Sequence, residues 1–376
     1  MPASDQTAES QSHSSAASPA PSASPSPFSL KLTAASAPIW LATAALFLIS
    51  LIFEPDSVRH SALLGMLPFA AVLAIAAMGQ TLVVQQGGID LSVPGMISLT
   101  IVLLTSYPNG DSGKLASAIV IAFAATLAAG AISGVIVSVI GVTPIVATLG
   151  MNAVLYGVVI QVSAGNPPPT TSALAKFASG KLLGMPNTVI IAVVLTALAP
   201  LIIKRTIVGR RFEAVGSGLL GARAAGLRAR RYQLATYVVA AALYCMAGVL
   251  LAGIVHSPSA FQGDSYLLPS VAAVVLGGTS LLGGRGSVIA TAVAALFISQ
   301  LDQLVLVMGA NQGVQNLVDA GALAVGLAIY SVPWRRLRRN VRRPSPDGAG
   351  RLEQSTEPGT SGFESTPGAL APGSHK

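Results

Sequence analysis

What most constrains this chain is a succession of long apolar stretches, most of them near bilayer length, separated by short polar or glycine-rich breaks. A hydrocarbon core of about 30 Å takes roughly 20 apolar residues per helix, and fewer where a helix is interrupted. Candidate spans are 35–53, 62–85, 92–107, 114–140, 144–162, 187–203, 233–255, 266–283, 286–308 and 313–332. Stretches of this length satisfy their backbone groups in lipid as helices. The expected fold is an all-α integral membrane protein of about ten transmembrane helices, some of them broken. Composition agrees, because 10% charged and 52% hydrophobic residues fall far from the roughly 25% charged of soluble domains.

The ends read differently. Residues 1–37 are dominated by Ser, Ala and Pro, a composition that buries too little apolar surface to order itself, so a disordered tail is expected. The first apolar run begins only near Pro38 behind a lone Lys31, which predicts a retained span rather than a cleaved signal. The membrane domain is placed at 38–332, and 333–376 begins with a basic run, WRRLRRNVRR, before a second disordered tail.

Charge placement sets the topology. Eight Lys and Arg lie between Lys204 and Arg231 against one acid, Glu213, and six Arg fall between 335 and 343. Basic loops stay in the cytoplasm. Both segments are therefore assigned inside, and the even numbers of spans before and between them put both termini inside as well. The net charge of +8 is mostly this topology, which removes the reason to invoke nucleic acid. One cysteine, Cys245, and four scattered histidines provide neither a disulfide framework nor a metal cluster.

One break is unusual. GGIDLSVPG, residues 87–95, sets the ionisable Asp90 between two apolar runs. With the second span ending near Gln85, the stretch is expected toward the cytoplasmic side. In one reading Gly87 and Gly88 stop a helix, Asp90 or Ser92 caps the next, and Pro94 sits in its first turn. In the other, a charge at membrane depth faces a cavity or a partner, and the broken helix lines a pathway. The two are compatible.

These residues carry a resemblance. GGIDLSVPGMISL resembles the GGIDLSVG motif of permeases in the ribose/xylose/galactose class of bacterial ABC importers. TPIVATLGMNAVLYGV at 143–158 matches that family's P-x-x-x-T-L-G segment through Pro144, Thr148, Leu149 and Gly150, and 271–296 resembles the segment around its GGTSLxGGxGS signature. The similarity runs over about 38–332. It implies a permease subunit in the bacterial inner membrane that forms a dimer, docks cytoplasmic ATP-binding subunits and receives a sugar from an extracytoplasmic binding protein. No cofactor is expected in this chain; ATP and Mg would sit on the partner subunit.

Under that resemblance the basic loop at about 204–232 contains the segment that couples to the ATPase, with Gly216, Ala222, Arg223, Ala225, Gly226 and Arg228 as contact candidates. It departs from the family where Gly218 and Leu220 replace a usual Asn and Glu. Gly87, Gly88, Asp90, Ser92, Pro144, Thr148, Gly277, Gly278, Thr279, Ser280, Asp302 and Asn311 are candidates for the translocation path or its gate. Small residues at 277–287 let backbones approach closely, which is equally what a tight turn between spans requires. The binding protein is expected to dock on the outer loops 166–187, with Lys176 and Lys181, and 256–265.

Asp302 and Asp319 stand inside the last two spans. They either line a polar cavity with Asn152, Gln300, Gln303, Asn311, Gln312, Gln315 and Asn316, or bond between helices near the outer interface. Intramembrane acids also motivate a rival function, a proton- or cation-coupled secondary transporter. It predicts inverted repeats, and none is evident in the sequence. Gly216-Ser-Gly218-Leu-Leu-Gly221 satisfies the dinucleotide spacing but follows a basic loop rather than a strand, and the 277–287 glycines lack the Lys-Ser/Thr of a phosphate loop. The spans hold no His-containing or paired-acid constellation at catalytic spacing, so a non-catalytic subunit is expected.

Overall fold

In the computed structural model, residues 37–331 are described, and the sequence-predicted tails lie outside them apart from Ala37. Contacts divide the chain at Ile329, so only the last helix reaches into the second unit, Tyr330–Lys376.

The described residues are almost wholly helical. The long helices are α1 (Ala37–Phe53), α2 (His60–Gln85), α3 (Val93–Ser106), α4 (Leu115–Val135, extended by a π-helical turn, Ile136–Ile140) and α5 (Pro144–Ser163). A short α6 (Ser172–Ser179) and a hairpin of two-residue strands, β1 (Lys181–Leu182) with β2 (Met185–Pro186), fold the loop before the next long helix. Then come α7 (Asn187–Arg205), two short helices in the basic loop, α8 (Ile207–Ser217) and α9 (Leu219–Ala224), and α10 (Ala229–Ile254). A 3-10 segment, Gln262–Tyr266, runs directly into α11 (Leu267–Leu276), followed by α12 (Val288–Val307) and α13 (Gln312–Ser331).

Among the described residues, six helical segments are long and apolar enough to cross a membrane: α2, Ser112–Ile140, α5, α7, α10 and α12. Two apolar helices, α1 and α3, are shorter. Every candidate span contains a helix, but 266–283 shrinks to the ten residues of α11. The glycine pair at 277–278 ends that helix, with Gly278 at φ +77°, a conformation that costs other L-residues roughly 1–2 kcal/mol.

The core forms around α2 and α10, which pack on each other and on α4, α3 and α12. Lipid-like surroundings give little hydrophobic drive between helices, so close packing must do that work. A Cβ on Gly79 of α2 would sit 2.6 Å from Tyr244 Cε1 of α10, and one on Gly248 of α10 would sit 2.7 Å from Thr100 Cβ of α3. Buried hydroxyls such as Thr81, Thr100 and Thr126 return to the carbonyl four residues back at 2.8 Å. At the periphery the pattern is inverted. Ile145, Val146 and Val154 of α5 and Val193 and Val194 of α7 are exposed, an outer apolar surface suited to lipid.

Candidate functional site

Between Gln85, the last residue of α2, and Val93, the first of α3, the chain leaves helical geometry inside the packed core. Gly87, at φ +80°, turns it back, and Asp90 is 2% exposed. The stretch 88–92 runs back beside α2 before α3 begins, and Asp90 meets Tyr244, 15 residues into α10 counting from Ala229, or about 22 Å along it at 1.5 Å per residue.

An interrupted helix leaves amide and carbonyl groups without partners, and in a core each needs another. Here side chains supply them. In the amide orientation that matches donors to acceptors, Gln80 donates to the Asp90 carbonyl at 3.1 Å and accepts from the Asp90 N–H at 3.2 Å. Thr148 Oγ1 accepts from the Leu91 N–H at 2.9 Å. Asn152 Oδ1 accepts from the Gly95 N–H at 2.8 Å, which places Asn152 on the break rather than in the cavity with the other acids and amides. Asp90 Oδ1 accepts from the Ser92 N–H at 2.9 Å and from Ser92 Oγ at 2.5 Å. Ser92 occupies the N-cap position of α3 yet makes no capping bond. The Tyr244 hydroxyl lies beside the Asp90 carboxylate and meets the Gln80 amide at 3.1 Å.

Gly88 and Pro144 belong to the same contact, because a Cβ on Gly88 would lie 3.1 Å from Pro144 Cβ and 2.9 Å from the Tyr237 hydroxyl. From the other side the 3-10 segment reaches in. The Gly263 N–H donates to Ser98 Oγ at 3.0 Å, and a Cβ on Gly263 would overlap the Pro94 carbonyl. Two interruptions of regular structure therefore meet at the first turns of α3.

A second convergence ties this break to the basic loop. The Gly284 N–H donates to the Gln85 carbonyl at 2.9 Å, and Gln86 Nε2 donates to the Phe212 carbonyl of α8 at 2.9 Å. A Cβ on Gly216 would overlap the Gln85 carbonyl, and one on Gly283 would lie 3.0 Å from the Gly216 carbonyl. The end of α2, the end of α8 and the 277–287 loop thus meet backbone to backbone. Gly277 closes against α12, 2.8 Å from the Thr291 N–H nitrogen by the same construction. The Ser280 N–H closes the loop on the Arg285 carbonyl at 2.9 Å, and Thr279 is buried with its hydroxyl unbonded.

The six residues proposed to contact a partner divide in two. Gly216 faces Gln85, and Ala222 is buried with Val215 and Ala229 in a small apolar cluster. Arg223, Ala225, Gly226 and Arg228 are exposed, and the last three, with Arg211 and Arg231, line a groove of about 660 Å³.

Asp302 and Asp319 lie apart from the break, in a cavity of about 410 Å³ that also takes in Gln303, Gln312 and Gln315. Gln300 is not part of it, since its Nε2 donates to Ser50 Oγ at 3.1 Å. Nor is Asn311, which caps α13 by accepting from the Val314 N–H at 3.1 Å, nor Asn316, bonded to Gln312 at 3.3 Å on the exposed surface. Sequence reasoning passed over Gln80, Gln85, Gln86 and Tyr244. The available signal was three amide side chains within or just after an apolar run, which in a membrane need partners.

A family model described as the permease component of the branched-chain amino acid transport system matches residues 62–332. A probable ABC transporter permease of Sinorhizobium fredii is 34% identical over 69% of this chain and 78% of its own. The ribose import permease of Escherichia coli K12 is 31% identical over 76% and 91%, and the galactofuranose transporter permease of the same strain is 32% identical over 73% and 80%. No solved structure matches. The matched region contains the broken helix, the basic loop and the glycine loop that meet in the structure, and the chain belongs to this permease-component family as a multi-pass protein of the inner membrane.

Proposed function

We propose that this chain is the membrane subunit of an ATP-driven importer, moving a monosaccharide or similar small polar solute handed to it by an extracytoplasmic binding protein. The ten apolar stretches are its spans, and the two basic segments, placed in the cytoplasm, put both termini there as well. Two copies form the translocating dimer, and two ATP-binding subunits, holding ATP and Mg, dock on the basic loop. The sugar reading draws on relatives named for ribose import, fructose import and galactofuranose transport.

The observation that carries the mechanism is the backbone contact among Gln85, Gly216 and Gly284. A partner that rocks α8 displaces the end of α2 and the 277–287 loop together, because no side chain intervenes to absorb the movement. The α2 end leads directly into the Asp90 break, so the push arrives where α3, α5 and α10 are held by side-chain hydrogen bonds. Such bonds can exchange partners at small cost, whereas a regular helix cannot shift locally.

The test is co-purification from the native membrane followed by uptake in proteoliposomes. Recovery of an ATPase subunit and sugar accumulation that requires ATP support the reading. A chain that purifies alone and accumulates solute under a proton or cation gradient without ATP replaces it with secondary transport through the intramembrane acids. With Arg223→Glu and Arg228→Glu together, ATPase recovery should fall at least tenfold while the permease keeps its melting temperature.

A further inference from the structure

The cavity that holds Asp302 and Asp319 has no part in the break or in the basic loop. Both carboxyl groups keep one oxygen, Oδ1, buried and without a hydrogen-bond partner. Asp319 is 4% exposed and lines, with Asp302, a space of about 410 Å³, within the roughly 300–1,000 Å³ of small-molecule sites. A buried acceptor left unbonded costs on the order of 1–3 kcal/mol, and more when charged. Something with hydroxyl or N–H donors would recover that cost.

The walls narrow the choice. Gln303 and Gln315 offer amides that both donate and accept, and Phe69 and Tyr266 add aromatic rings. No Lys, Arg or His is among the lining residues. Asp302 and Asp319 line the same space, and their carboxyl oxygens can accept from donors on an occupant. A neutral ring with hydroxyls at its edge and C–H groups on its faces uses all of these features, whereas a cation uses only the acids. The cavity is also connected to the gate. Tyr266 belongs to the 3-10 segment whose Gly263 bonds Ser98 and abuts Pro94 at the start of α3.

We propose that this cavity is a transient monosaccharide subsite on the outer half of the permease, in which Asp319 and Gln315 take ring hydroxyls and Phe69 packs on a ring face. This rests on the sugar-import reading above and adds where the permease itself touches the solute.

The test uses the permease with its ATPase subunits and without binding protein, in nanodiscs, and reads saturation transfer by NMR to D-ribose, D-fructose and D-galactose. Transfer to at least one of them in the wild type, reduced at least fivefold in both Asp319→Asn and Phe69→Leu with unchanged melting temperatures, is the expected result. In reconstituted vesicles with binding protein, the same variants should move at least threefold less sugar per ATP at an unchanged ATPase rate. Equal transfer in variants and wild type, or none in the wild type while ATP-driven uptake persists, overturns the subsite and leaves the importer intact. Uptake that depends on sodium or potassium and loses that dependence in Asp319→Asn overturns it in favour of a cation. Absence of ATP-driven sugar uptake in the wild type removes the importer reading and the subsite with it.

Discussion

At Gln80 one amide group holds both backbone polar atoms of Asp90 and touches Tyr244, so three partners depend on a single side chain. Leucine has a similar size and none of the hydrogen bonds. Gln80→Leu should therefore leave the Asp90 N–H and carbonyl unsatisfied in the core, at about 1–3 kcal/mol each. Thermal unfolding in detergent should show a lower midpoint, and an unchanged midpoint would mean that water or backbone movement replaces the amide. Thr148 allows a cleaner comparison, because valine has its shape and serine keeps its hydroxyl. Thr148→Val removes the acceptor for Leu91 N–H and should cost about 1–3 kcal/mol and slow transport, while Thr148→Ser should stay within about 1 kcal/mol of wild type. Equal behaviour of the two variants would show that the hydroxyl is irrelevant to the break.

The elements around these residues are joined by backbone contact, so the sensitive substitutions there are those that add atoms. Gly284 combines φ +78° with a Cβ position 2.9 Å from Ser217 Cα. Left-handed geometry costs an alanine roughly 1–2 kcal/mol, and the overlap pushes α8 away from the glycine loop. Gly284→Ala should leave the ATPase bound but lower the solute moved per ATP hydrolysed, measured in proteoliposomes. Unaltered coupling would place the transmission of movement elsewhere. Gly110, at φ +83° with nothing within 4 Å of its Cβ position, is the matched control, since an alanine there has the same backbone cost and no overlap. Much of this level was legible beforehand. The apolar runs announced the helices, and the glycine strings marked where they stop. The re-entry of 88–92 and of the 3-10 segment was not legible, because hydropathy reports whether a segment avoids water and says nothing of whether the chain doubles back inside the bundle.

Across the whole molecule, topology is open to a direct test. Leu183, in the α6–α7 loop, and Leu282, in the glycine loop, are each 95% exposed, and the only native cysteine, Cys245, is buried. In a Cys245→Ala background, Leu183→Cys should react with an impermeant thiol reagent on intact cells, and Leu282→Cys only after the membrane is opened. Reversal of the two would invert the proposed orientation, and labelling of both from outside would overturn the span count between them.

Sequence alone determined the helical membrane fold, the interruption at 87–95, the basic loop and the presence of acids in the last two spans. These properties are local, since apolar length, glycine and proline placement and charge act on the segment that contains them. Tertiary structure decided which groups meet: Gln80 and Tyr244 at Asp90, Thr148 and Asn152 on the backbone of the break, Gly216 on Gln85, and Asn311 at a helix cap away from the acid pair. The physical reason lies in the helices themselves. A span that is apolar all round carries little periodic signal for its rotation about its own axis, and that rotation fixes which polar side chain faces which gap in a neighbour's backbone.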